Sequence, residues 1–160
     1  MSSKRTGWRP RCFDRLARNR PVAVLTCGFV ALLVSAIFTA VRVPVPKVHD
    51  EFSYLLAADT FAEGRVTNPT HPMWEHFESF HVIQQPTYAS KYQPAQGLVL
   101  ALGQTVGGHP IVGAWLATAL AAAAVCWMLQ GWVPSRWALL GGLLVALHGT
   151  IQVRWSLSFW

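Results

Sequence analysis

Asp50 and Glu51 stand side by side shortly after the first long apolar run, in a chain with only seven acidic residues. An adjacent carboxylate pair in that position can take a proton, orient a hydroxyl or help to hold a metal ion. Both residues also have structural uses: Asp50 as a helix N-cap, and Glu51 as a charge complementing the helix dipole. Lys91 and Tyr92 form a second candidate pair, placed just before a long uncharged stretch. A cation beside a phenol at the height of lipid headgroups suits a lipid phosphate, and it equally suits a plain interfacial anchor. His71, His76 and His81 invite a metal reading. Their spacing of five does not share one helix face, and no HExxH occurs, so these residues do not match the common zinc patterns.

The elements that must position these residues follow from local signals. Asp50 is the expected N-cap and Gly64 the expected stop of a helix whose apolar face is Phe52, Leu55, Leu56 and Phe61. The segment that follows is rich in aromatics and interrupted by Pro69, Pro72, Pro86 and Pro94. Trp74, Phe77 and Phe80 are expected to dock it onto a membrane or onto the rest of the protein. Asn68-Pro69-Thr70 is no glycosylation acceptor, because proline fills its middle position. A short helix over Ala95–Val106 is expected at the membrane surface, ended by Gly107-Gly108-His109-Pro110.

Composition decides what those elements sit in. The chain has 160 residues, of which 52% are apolar and 12% charged. Soluble domains usually carry about twice that charged fraction. The net charge is +6, yet seven basic residues fall in the first twenty positions, from Lys4 to Arg20. A basic tail directly before a long apolar run marks membrane topology and argues against a nucleic-acid partner.

Residues 21–41 carry no charge and are long enough to cross a bilayer as a helix, and they lack a clean cleavage site for removal as a signal peptide. Residues 111–130 form a second expected span, Ala-rich as close helix packing in lipid requires. Residues 131–136 make a turn, and 137–153 form a third expected span. His148, Thr150 and Gln152 in that third span should face other helices or a cavity. Trp127, Trp132, Trp137, Trp155 and Trp160 cluster near the span ends as interfacial anchors. The excess of Lys and Arg places 1–20 in the cytoplasm and residues 42–110, richer in acids than in bases, outside. The expected fold class is therefore all-α, a polytopic protein of the cytoplasmic (inner) membrane with about three transmembrane helices and a helical outer loop. Cys12 falls in the tail and Cys27 and Cys126 in spans, so the outer loop has no disulfide framework.

The order of basic tail, first span, HDEFSYLLAADTFAEGR, Pro-rich aromatic loop, SKYQPAQGLVLALGQTVG and Ala-rich spans resembles the start of a superfamily-C glycosyltransferase. Protein O-mannosyltransferases and aminoarabinose transferases are of this kind. The family's acidic pair maps to Asp50-Glu51, and its K/R-Y-x-P-P-like segment to Lys91, Tyr92, Gln93 and Pro94, with Gln93 departing from the commoner proline. The resemblance implies inverting transfer of a sugar from a polyprenyl-phosphate carrier to an acceptor outside the membrane. It gives Asp50, with Glu51 as the other candidate, the role of base or acceptor-orienting group, and Lys91 and Tyr92 that of stabilising the departing phosphate. It implies no nucleotide sugar and no defined cofactor, with a divalent cation, which assists some relatives, left open. Such enzymes have many more spans, so residues 154–160 are expected to lead into a further outer segment and the chain to be an N-terminal portion, inactive alone. The competing reading is a non-catalytic membrane module that binds a lipid or protein partner.

Overall fold

The computed structural model describes residues 11–42, 44–156 and 158–159. Among them are seven α-helices: α1 (Arg11–Arg18), α2 (Arg20–Val41), α3 (His49–Ala62), α4 (Pro94–Gly107), α5 (Ile111–Leu129), α6 (Ser135–Leu147) and α7 (Gly149–Ser156). A two-stranded antiparallel ribbon, β1 (Val82–Ile83) with β2 (Ala89–Ser90), lies in the largely irregular segment between α3 and α4, so the fold is mostly α. The mainly helical character and two helices able to cross a membrane, α2 and α5, are features of the fold itself.

Helix ends follow local chemistry. The Asn19 side chain accepts from the Val22 N–H, and Pro21 sits in the first turn of α2, where its missing N–H costs nothing. α4 opens on Pro94 and ends at Gly108, whose φ of +73° is the left-handed conformation that favours glycine. α3 breaks the sequence expectation at its start: the N-cap is Val48, and Asp50 lies inside the first turn. The capping is done by Glu51, whose Oε2 accepts from the N–H groups of Lys47 (2.6 Å) and Val48 (3.3 Å). A glutamate one turn into the helix can reach back to the cap as Asp50 cannot, and this shifts the boundary by two residues.

α2, α5 and α6 pack as a three-helix bundle, with small residues at the seams. Ala23, Cys27, Ala31 and Ser35 form the buried stripe of α2, each one turn from the next. They face Ala122 and Cys126 of α5 and Leu139, Gly142 and Ala146 of α6. The large apolar side chains point the other way: Leu25 is 70% exposed, Phe29 60%, Leu120 71% and Leu144 63%. Small residues inside and large apolar ones outside is a packing pattern that helices in lipid favour.

The expected third span does not run as one helix. α6 has 13 residues and stops before His148, and α7 starts again at Gly149. Gln152 of α7 is fully buried; its Nε2 donates to the Ala146 carbonyl at the end of α6 and its Oε1 accepts from Ser35 of α2. It thus satisfies a carbonyl that the break leaves without an intrahelical partner. His148 and Thr150 are exposed.

α3, α4 and the ribbon cover one end of this bundle. α4 meets α5 at Gly103 and Gly113, where backbone touches backbone: a Cβ on Gly103 would fall 2.0 Å from the Gly113 nitrogen. α3 packs on α4 through Ala57 and Phe61 against Gly97, and Asp59 accepts from Gln104 at 2.9 Å.

Candidate functional site

The outer layer folds so that residues far apart in sequence meet at the start of α3. Ser53, buried on α3, donates its hydroxyl proton to the His81 carbonyl (2.7 Å) and sits 2.8 Å from the Ser90 hydroxyl. Ser90 Oγ in turn accepts from the Tyr92 N–H at 3.2 Å. The Lys91 N–H also donates to the His81 carbonyl, extending the ribbon by one bond. This bracket swings His81 and Tyr92 over the first turn of α3, with Tyr54 stacked on the Tyr92 ring at 4.8 Å between centroids.

Three polar atoms converge there. The Tyr92 hydroxyl donates to Asp50 Oδ1 at 2.7 Å, and His81 Nδ1 lies 2.7 Å from the Tyr92 oxygen and 2.8 Å from Asp50 Oδ1. A phenol has one proton, so if it goes to Asp50 then the imidazole must supply the other hydrogen, with Nδ1 protonated. His49 stacks on the outer face of His81 at 5.7 Å and Phe80 meets its edge. Asp50 is partly exposed, and its second oxygen accepts no hydrogen bond from a described residue. That oxygen is the free acceptor of the cluster. It also sits in the first turn of α3, where the helix dipole favours negative charge.

The Tyr92 phenol is pushed up to about 12, first by its hydrogen bond to the Asp50 carboxylate, then by burial, then by the charge of Asp50. It therefore remains a donor across the neutral range. Because the shift is upward, the stabilisation it represents is complete below the ordinary phenol value of about 10 and is lost as the pH rises through about 12. In an alkaline titration followed by tyrosinate absorbance, we expect one phenol to ionise near 12, and Asp50→Asn to bring it back toward 10. Three phenols titrating together near 10 in the parent chain would contradict this geometry.

The remaining expected site residues divide. Glu51 is 3% exposed, and beside its two bonds at the α3 start, its Oε1 accepts from the Phe159 N–H at 3.2 Å. Both oxygens are occupied by main chain, so Glu51 is a structural bracket and Asp50 alone has a carboxylate oxygen to offer. Lys91 is exposed, with its ammonium 3.8 Å from the Phe80 ring centroid and 3.3 Å from the Phe80 carbonyl. The structure brings Asp50 and Tyr92 into contact and holds the Lys91 ammonium on Phe80, whose ring meets His81 edge-on.

His81 joins the cluster without any sequence signal for it, its spacing with His71 and His76 suggesting only a metal reading. Those two lie elsewhere: His71 Nδ1 accepts from the Met73 N–H while its ring meets Phe77, and His76 is exposed. Among the described residues no three of His, Cys, Asp and Glu are placed to share a metal ion.

The class defined by the fold is a mostly helical protein with two helices long and apolar enough to cross a membrane, carrying a polar cluster at one end of the bundle. Compared with known proteins, the chain matches no family model, no curated protein and no solved structure.

Proposed function

We propose that this chain is the N-terminal portion of a multi-pass membrane glycosyltransferase. The enzyme moves a sugar from a polyprenyl-phosphate carrier to an acceptor outside the cytoplasmic membrane. The observation that carries the reading is the Asp50–Tyr92 hydrogen bond, which joins the acidic pair and the K-Y-Q-P segment, the two motifs of the family resemblance, into one cluster. The small-inside, large-outside packing of α2, α5 and α6 supports placing the bundle in lipid, with α6 and α7 together forming a broken third crossing.

In this reading Asp50 Oδ2 takes the proton of the acceptor hydroxyl as the oxygen attacks the anomeric carbon. The bond from that carbon to the carrier phosphate breaks, and its electron pair leaves on the phosphate oxygen. Lys91, exposed beside the cluster, meets that growing charge. Tyr92 directs its own proton to Asp50 and holds the carboxylate with His81, so its role is to position the base rather than to touch the phosphate.

Lys91 gives the test of the donor side. Lys91→Met in the complete enzyme should lower kcat/KM for the polyprenyl-phosphate donor by about 10- to 100-fold, the value of a charge-assisted contact. Lys91→Arg should retain most of it. Equal rates for all three proteins would remove Lys91 from the site.

A further inference from the structure

The bundle end opposite the Asp50 cluster carries a second candidate site. There the Gln130 side chain at the end of α5 donates to the Arg20 carbonyl at the start of α2 (3.0 Å), fixing two helix ends side by side. Between them opens a groove of about 720 Å³ lined by Arg20, Val24, Leu25, Trp127, Met128 and Trp132. That volume lies within the usual range of small-molecule sites, roughly 300–1,000 Å³. Its walls are mostly apolar, Arg20 is an exposed basic residue in its lining, and the indoles of Trp127 and Trp132 are exposed.

The charge at this end of the bundle is mainly positive. α1 packs Phe13, Leu16 and Ala17 into the bundle and leaves Arg15 and Arg18 exposed. The one carboxylate at this end, Asp14, is paired with Arg136 at 3.7 Å. No described carboxylate pairs with Arg15, Arg18 or Arg20. An occupant must therefore be anionic at one end and apolar along its length, with the two parts meeting at the level of the tryptophans. A phospholipid with a net negative headgroup has this form.

We infer that the groove between the start of α2 and the end of α5 binds one anionic phospholipid. Its phosphate lies on Arg20 and an acyl chain runs along Val24, Leu25 and Met128. The inference rests on the membrane placement of the bundle and is independent of sugar transfer. It is tested on the whole chain reconstituted into bilayer discs of equal phosphatidylcholine and phosphatidylglycerol, then released for native mass spectrometry. The parent protein should keep one phosphatidylglycerol in preference to phosphatidylcholine. Arg20→Gln should lower that preference by about fivefold, Arg20→Lys should restore most of it, and Arg18→Gln should leave it unchanged. Equal loss with Arg18→Gln would overturn the site in favour of a diffuse basic surface, and no preference in the parent would overturn it outright. A dimer without bound phospholipid would assign the groove to a second copy of the chain and likewise overturn the inference. Failure of the chain to enter the discs would sink the membrane reading and the site together, an outcome separate from entry without lipid preference.

Discussion

Asp50→Asn in the complete enzyme should cut sugar transfer by about 10²–10⁴-fold, the usual contribution of a positioned general base. The substitution keeps the side chain's size, and Asp50 does not cap α3, so the helix start held by Glu51 should survive. The amide can still accept from the Tyr92 hydroxyl at Oδ1, which keeps the cluster together. Only the proton acceptor is removed. Glu51→Gln should behave differently: it weakens the contacts to Lys47, Val48 and Phe159 and should show as lost stability with transfer largely retained in the folded fraction. Both proteins are compared by transfer rate from the polyprenyl-phosphate donor at matched expression. Full activity in Asp50→Asn with a dead, well-folded Glu51→Gln would move the base to Glu51.

The largest effect on stability is expected at Gly103. An added Cβ there would sit 2.0 Å from the nitrogen and 2.6 Å from the Cα of Gly113. The obstacle is main chain and no side chain can turn away, so α4 and α5 must separate along the crossing. We expect Gly103→Ala to cost about 3 kcal/mol, the upper end of ordinary overpacking. Gly149→Ala is the control, since nothing lies within 4 Å of its added Cβ. Unfolding of the purified proteins in mild detergent, followed by helical circular dichroism, reads the difference. A Gly103→Ala protein as stable as the parent would mean that the two helices do not cross in contact here. Because α4 carries α3 and the Asp50 cluster, this variant should also loosen the site.

Much of the helical layout was legible because its signals are local. The uncharged run from residue 21 marks α2, Gly64 follows the end of α3, and Gly107-Gly108 ends α4. Two boundaries were misread where a side chain acts from a distance. Asp50 looks like a cap on residue preference alone, but Glu51 reaches back to do the capping. The run 137–153 looks continuous on hydropathy, but the helix breaks before Gly149, and beyond the break Gln152 meets Ser35 across the bundle. Trp127, Trp132 and Trp137 are exposed at one bundle end as interfacial anchors would be, while Trp160 and the side chain of Trp155 lie outside the described residues.

The site was legible only in part. The family resemblance marks Asp50 and Tyr92 with separate roles, and their contact was not foreseen, since their separation in sequence carries no periodic signal. His81 could not be placed, because its arrival depends on Ser53 and Ser90 closing the ribbon onto α3. The buried face of α2 is Ala23, Cys27, Ala31 and Ser35 at a spacing of four, a small-residue stripe carried by its sequence.

The most direct measurement of the central claim is the fate of the carrier lipid. Membranes holding the complete enzyme are incubated with a sugar-linked polyprenyl phosphate and a membrane extract as acceptor source, and free polyprenyl phosphate is quantified over time. The account predicts release in proportion to the amount of enzyme, with the sugar appearing on an acceptor in inverted configuration and release failing with Asp50→Asn. A donor that stays intact with the parent enzyme, across the polyprenyl-phosphate sugars of the membrane that holds it, would contradict the glycosyltransferase reading and leave a lipid- or partner-binding module in its place.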